Sequence, residues 1–300
     1  MVNKVIVLGS INMDMVMETD RLPKVGETLL GESIDYYVGG KGANQAVAAA
    51  RIGADVSLIG KIGDDIFGSK VYKHLENEKV DVSAVTSEKN IFTGVASIFK
   101  LKEDNAIVVL PGANMLLSDI NDALNGKINA EDVLLAQLEI PIETVKKGLV
   151  LAKDKGAITI LNPAPYSESV IDILPFVDII TPNETEFEGL LGRSITDAAQ
   201  FEKEMLNWSK TNDTQLIVTR GGHGISYTTE NDVITIPAEK VKVVDTTGAG
   251  DTFNGILAAC LAKGITVSES VKISGKGATL SVTKLGAQTG MPTLTEIAAF

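Results

Sequence analysis

Short, uninterrupted apolar runs recur along this chain, separated by stretches in which apolar residues return every three or four positions. The runs lie at residues 5–8, 56–59, 133–136, 158–161, 177–180 and 216–219. A four-residue run without polar alternation predicts a strand covered on both faces, as in a parallel sheet. Helical spacing predicts helices over 43–52, 67–79, 142–155, 184–191 and 198–209. Strands alternating with helices predict an α/β fold, a central mostly parallel sheet with helices on both faces.

Two stretches break that rhythm. Residues 13–38 alternate and carry the turn formers Pro23, Gly26 and Gly31. Residues 92–110 alternate as well, through TGVASIFKL and NAIVVL with a polar turn between. Both predict strand pairs inserted between the α/β units. Together they would form a small β-sheet lid over the crevice at the strand ends. The chain shows no internal repeat, low-complexity tract or long linker, so one domain over residues 1–300 is expected.

Composition narrows the function. The 300 residues are 44% hydrophobic, enough for a large core. The net charge of -12 argues against a dedicated nucleic-acid binder, which needs a basic footprint. It leaves anionic ligands open, because backbone N–H groups can build local phosphate sites. The single cysteine, Cys260, sits in the apolar run ILAACLA and reads as a small buried hydrophobe. Two histidines far apart, His74 and His223, leave no His-based zinc site and weigh against a Ser-His-Asp triad. The N-terminal apolar run is too short for a signal-peptide core, and no stretch approaches a membrane span. The chain therefore reads as cytoplasmic, with no membrane partner.

The most informative segment is VKVVDTTGAGDTFNGILAACLAKG, residues 241–264. A strand-like run leads to Asp245; Thr246, Thr247, Gly248, Ala249, Gly250 and Asp251 follow, and a helix begins. Two glycines around an alanine let the backbone turn and present consecutive N–H groups at a helix N-terminus, an anion hole suited to a transferring phosphoryl group. Asp251 stands beside it, where a carboxylate can accept a proton from an attacking hydroxyl. Asp251 reads equally well as a plain N-cap. A second segment, VGGKGANQAVAAARIGA over residues 38–54, turns through Gly39, Gly40 and Gly42 into a helix near Ala43. It is neither a Walker A loop nor a GxGxxG turn. Lys41 and Asn44 can aim polar groups at a polyhydroxylated ligand. A third, GSINMD over residues 9–14, follows the first strand and offers Asn12 and Asp14, which are also ordinary loop residues. Polar residues close other predicted strands as well: Gln137 and Glu139, Asn162, Asn183 with Glu186, and the stretch Thr219, Arg220, Gly221, Gly222, His223 and Gly224. So many polar strand ends on one sheet edge suggest a built site.

With these segments in hand, the chain resembles the carbohydrate kinase family that includes ribokinase, fructokinase and adenosine kinase. GGKGANQAVAAARIG is similar to the family's N-terminal signature and DTTGAGDTFNG to its C-terminal one. The match is closest to the ribokinase branch, through Asn12 with Asp14, GGKGANQ, PGAN at 111–114, QLE at 137–139 and LNPAP at 161–165. The resemblance implies an ATP-dependent kinase that phosphorylates the 5-hydroxyl of D-ribose. It implies ribose contacts from Asn12, Asp14, Gly40, Lys41, Gly42, Ala43, Asn44, Glu139 and Asp251. It implies nucleotide contacts from Asn183, from Thr219 through Gly224, and from the turn with Gly250. Asp251 would be the general base, with Gly248, Ala249 and Gly250 forming the anion hole. Glu186 would act on Mg2+ indirectly. Asp245, Thr247, Ser281, Lys284, Gly286 and Gly290 would surround K+, several through backbone carbonyls. A homodimer formed through the lid is also implied. Two other readings stay open: a kinase for deoxyribose, fructose or a nucleoside, and a non-catalytic sugar sensor on the same fold.

Overall fold

The computed structural model describes residues 3–101, 105–195 and 197–300. The start of the N-terminal run, residues 1–2, and residues 102–104 of the second inserted stretch lie outside them. In chain order, β1 (Val5–Leu8), β2 (Asn12–Glu18) and β3 (Ser33–Gly39) lead into α1 (Lys41–Arg51). Next come β4 (Val56–Gly63), α2 (Ile66–Asn77), β5 (Asp81–Glu88), β6 (Gly94–Lys100) and β7 (Asn105–Leu110). The middle of the chain forms α3 (Asn121–Asn125), β8 (Val133–Gln137), α4 (Ile142–Asp154), β9 (Ile158–Asn162) and β10 (Ile179–Ile180). Then follow α5 (Glu184–Leu191), α6 (Ala198–Asn212), β11 (Gln215–Thr219), β12 (Ile225–Thr228) and β13 (Val233–Ile236). The chain closes with α7 (Ala249–Ala262), α8 (Val267–Ser281), α9 (Ala287–Gly290) and α10 (Leu294–Ala299).

Nine strands form one sheet in the order β13-β12-β11-β10-β9-β8-β1-β4-β5. It is parallel except at one edge, where β11, β12 and β13 pair antiparallel. The predicted runs become its centre: Val5 pairs with Val56 on one side and Val133 on the other. Chain direction across the sheet reverses between β1 and β8, which opens a crevice beyond their carboxyl ends. A second sheet, β3-β2-β6-β7, grows from β2 only three residues after β1 ends. It falls in the two stretches whose alternation set them apart. One side of it is apolar and exposed, through Ile34, Tyr36, Val108 and Leu110.

The sequence reading differs from the fold in several places, and α8 was not among its helices. The run at 177–180 yields only a two-residue strand, because Val177 N closes a 3-10 segment onto Leu174 O (3.0 Å). The run before Asp245 is not a strand: Val243 and Val244 are exposed, and the N–H groups of Val244 and Asp245 both donate to Val282 O. The edge strands β5 and β13 escaped detection because they are partly exposed, so their sequences mix polar and apolar residues, and the buried β12 because Ser226 and Thr228 break its apolar run.

The core has a cluster on each sheet face. On the first, α1 and α7 pack closely, and the reason is compositional. Helix α1 is rich in buried alanines, Ala43, Ala46, Ala48 and Ala49, and α7 meets it with Gly255. A Cβ at Gly255 would lie 2.3 Å from Gln45 O and 2.7 Å from Ala48 Cβ. That contact sets the N-terminal turns of both helices side by side at the crevice. Cys260 lies on the same helix, 2% exposed, and burial pushes its thiol up to about 11. Among the described residues, no helix is long and apolar enough to cross a membrane.

Candidate active site

The N-terminus of α7 is set by Gly248, the N-cap, whose φ of 77° is left-handed. The first intrahelical bond runs from Thr252 N to Gly248 O (2.8 Å), so Gly250 and Asp251 contribute first-turn N–H groups that lie ahead of the helical ladder. Asp251 is therefore inside the helix and not its cap. Its side chain is buried, and each carboxylate oxygen accepts an amide hydrogen from α1: Oδ2 from Asn44 Nδ2 (2.9 Å) and Oδ1 from Gln45 Nε2 (3.0 Å).

The β1–β2 link, the N-terminus of α1 and the loop after β8 meet opposite Asp251. Glu139 Oε2 accepts from Ser10 Oγ (2.5 Å) and from Lys41 N (3.2 Å). Gly42 N donates to Ser10 Oγ (3.4 Å), and Ala43 N to Ser10 O (2.9 Å), tying the α1 turn to the end of β1. Gly40 N-caps α1 beside the same link. Asn12 is held by Asn114, whose Nδ2 donates to Asn12 Oδ1 (2.8 Å) and Ile11 O (3.1 Å) while its Oδ1 accepts from Ile11 N (2.9 Å).

Electrostatics follow from this crowding of carboxylates. Burial pushes the Asp14 carboxyl up to about 7, and the nearby Glu139 and Asp251 add to the push. Burial alone would lower Lys41, but Asp251, Glu139 and Glu186 outweigh it and hold the ammonium above the usual lysine range. Burial also raises Glu186 above the usual carboxylate range, against the pull of the Asn183 N–H and of Lys41. One lysine thus sits in the field of three acidic groups.

Behind Asp251 lies a run of buried side chains. Gln137 Nε2 donates to Gln45 Oε1 (2.7 Å), and Gln45 Nε2 also donates to Asn162 Oδ1 (3.1 Å). Asn162 Nδ2 reaches Thr181 O (3.2 Å), Thr181 Oγ1 donates to Asn254 Oδ1 (2.5 Å), and Asn254 Nδ2 donates to Gly250 O (2.9 Å). On the other side, Gln288 Nε2 donates to Asn44 Oδ1 (2.9 Å), and Gln288 Oε1 meets His74 Nε2 (2.7 Å). Motif reading gave no role to Gln45, Asn114 or Gln288, and noted Asn162 only as one of several polar strand ends. The first three stand inside the quoted strings GGKGANQ, PGAN and LNPAP; Gln288 carries no sequence signal.

The expected nucleotide residues lie further along the sheet edge. Asn183 N-caps α5 in a capping box with Glu186, its Oδ1 accepting from Glu186 N (2.8 Å) while its N–H donates to Glu186 Oε2 (2.9 Å). Asn183 bridges to Thr219, the last residue of β11. Gly221, Gly222 and His223 form a 3-10 turn ending at Gly224. The Arg220 guanidinium is engaged inside the protein, with Glu184 (2.9 Å), Ser226 (3.3 Å) and the Phe201 ring (4.3 Å), and its backbone closes the turn, its N–H donating to Gly224 O (2.8 Å) and its carbonyl accepting from His223 N (2.9 Å).

The positions expected to surround potassium converge on the loop before α7. Asp245 Oδ1 accepts from Thr247 N (2.9 Å) and Thr247 Oγ1 (2.7 Å), and Oδ2 from Gly286 N (2.8 Å). Burial opposes ionisation there, but these donors prevail and hold Asp245 below the usual range. Gly290 packs on Ser281, where a Cβ would lie 2.2 Å from Ser281 O. The Lys284 ammonium pairs with Glu296 (3.2 Å), leaving its carbonyl for any cation. A cavity of about 410 Å³ joins this loop to the small sheet, with Asp14, Tyr37, His74, Thr247, Gly286 and Gln288 in its wall.

The arrangement can bind a polyhydroxylated ligand, accept a proton at Asp251 and stabilise a developing anion beside it. Comparison with known proteins agrees with that chemistry. A ribokinase of Lactococcus lactis subsp. lactis is 40% identical over 299 residues, covering 99% of this chain and 96% of its own. One of Bacillus subtilis is 38% identical, covering 97% of each. The structure of Arabidopsis thaliana ribokinase complexed with ribose and ATP superposes with a TM-score of 0.92 at 30% identity, covering 100% of this chain and 98% of that one. The model of the pfkB family carbohydrate kinases matches residues 2–294. This chain belongs to the pfkB family of carbohydrate kinases.

Proposed function

We propose that the chain transfers the γ-phosphoryl group of ATP to the 5-hydroxyl of D-ribose, giving ribose 5-phosphate and ADP. The observation that carries this reading is the buried Asp251 carboxylate, gripped by Asn44 and Gln45 at the N-terminus of α7. Asp251 takes the hydroxyl proton as the oxygen attacks phosphorus, and the N–H groups of Gly248, Ala249, Gly250 and Asp251 stabilise the charge on the transferring group. Asn12, Asp14, Glu139, Asn44 and the turn from Gly40 to Ala43 hold the sugar, with Lys41 balancing the acidic groups around it. Thr219 through Gly224 and Asn183 receive the nucleotide. The chain forms one domain, and the small sheet closes over the sugar, limiting competition from water.

Two ions belong to this reading. The oxygen-only donors around Asp245 and Thr247 suit a hard monovalent cation. Potassium there, with the carbonyls of Ser281, Lys284, Gly286 and Gly290, would supply positive charge beside the anion hole. Magnesium neutralises the phosphates when bound, and Glu186 would act on it at one remove. A second copy would cover the exposed apolar face of the small sheet. A cytoplasmic setting accords with the lone cysteine, buried and unpaired.

The test is ATP-dependent phosphorylation with magnesium across D-ribose, 2-deoxyribose, fructose and adenosine, in potassium or sodium. Ribose preferred, and potassium faster than sodium, is the expected result. Preference for another acceptor overturns the assignment of Asn12, Asp14 and Asn44; absence of transfer to all four overturns the kinase reading.

A further inference from the structure

We propose that Gln45 is the positioning residue for the general base, holding Asp251 Oδ1 so that Oδ2 alone is left to take the proton. The inference rests on the reading of Asp251 as that base. Two neighbouring amides of α1 grip the carboxylate, but they differ in access. Asn44 is 6% exposed at the sugar side, and its own oxygen is bound to Gln288. Gln45 is 0% exposed, so no substrate touches it. It spends both amide hydrogens inward, on Asp251 Oδ1 and Asn162 Oδ1, and its oxygen is locked by Gln137.

That locking is the second observation. Gln137 closes β8 and Asn162 closes β9, so Gln45 is clamped by two adjacent strands of the central sheet. A side chain needed only to fill the α1–α7 contact would be apolar, as the surrounding alanines are. Burying an amide whose polar groups are matched one by one is justified by what it orients. When a sugar hydroxyl draws the Asn44 amide away, Oδ2 is released while Oδ1 stays bound. The hydroxyl O–H bond then breaks toward Oδ2, the new O–P bond forms, and the electrons of the breaking P–O bond leave on ADP.

The experiment is the pH profile of kcat, with the KM for ribose, in Gln45→Met, which keeps the length and removes the donors. A carboxylate that loses an amide donor holds its proton more tightly. The expected result is an acid limb moved up by about one pH unit and kcat near neutrality lowered roughly tenfold. Partial recovery at alkaline pH and a ribose KM within about twofold of wild type are also expected, because Gln45 does not reach the sugar. A folded Gln45→Met with wild-type kcat and an unmoved acid limb overturns the proposal. If Gln45→Met does not fold, Gln137→Met, which frees Gln45 without touching Asp251, is judged by the same shift. Asp251→Asn run alongside separates the two failures. Wild-type turnover in it overturns the base reading, whereas an inactive Asp251→Asn beside an unmoved Gln45→Met profile overturns the positioning role alone.

Discussion

The two ends of the candidate site are built differently. At the sugar end, Asn12, Asn44, Glu139 and Asp251 are each held by another side chain, and nearly all of those holders are buried. At the nucleotide end, Gly221, Gly222 and His223 are exposed in a short turn, and the one strong cation, Arg220, is already spent on Glu184 and Ser226. A small sugar offers little area, so its discrimination must come from polar groups fixed before it arrives. A nucleotide offers a large surface and a charged tail, which backbone N–H groups and a helix N-terminus can take without a rigid side-chain set.

The contrast can be broken at four points. Asp251→Asn should lower kcat by roughly 10³-fold while ribose binding stays within a few-fold, seen by steady-state kinetics and calorimetry. A large loss of binding instead would mean that Asp251 holds the sugar more than it activates it. Gly255→Ala acts on the scaffold: with its new Cβ 2.3 Å from Gln45 O, α1 and α7 must separate. We expect a loss of roughly 1–3 kcal/mol in denaturant unfolding, together with a fall in kcat.

Asp14→Asn tests electrostatics. With its folded-state carboxyl pushed up to about 7 from an ordinary 3.8, Asp14 binds a proton more readily folded than unfolded. Its contribution to stability is full at low pH and is lost as pH rises through about 7. Above that, the fold bears a buried charge. The variant should therefore melt a few degrees higher than wild type at pH 8, on the order of 2 kcal/mol, with no gain at pH 4. Its ribose affinity should fall, and it should lack the tightening of ribose binding expected of wild type between pH 6 and 8 as Asp14 ionises. The smallest effect is expected at the other end: a Cβ on Gly222 meets nothing within 4 Å, so Gly222→Ala should change the KM for ATP less than about threefold. A larger change would mean that the turn is as tightly fitted as the sugar pocket.

Much of this was legible from sequence where one segment carries both pattern and chemistry. The buried centre of the sheet announced itself because β1 and β8 are covered on both faces and so are written in unbroken apolar letters. The α7 turn was legible because Gly248 and Gly250 serve a local conformation. What stayed hidden is what depends on partners distant in the chain. Gln45 lies 206 residues from Asp251, and Gln288 lies 244 from Asn44. An amide's local sequence does not say whether it faces water or a carboxylate. The run before Asp245 misled for a related reason: its apolar letters are those of a strand, but its N–H groups find the end of α8.

The position of Cys260 gives α7 a timekeeper. The chain's only sulfhydryl sits nine residues beyond Asp251 on the same helix, 2% exposed and raised to about 11. A thiol reagent added to the folded enzyme thus meets a group that is both shielded and protonated. The slow appearance of label counts the moments when this helix leaves its packing, so the enzyme carries a native clock for the breathing of the element that bears its proposed base.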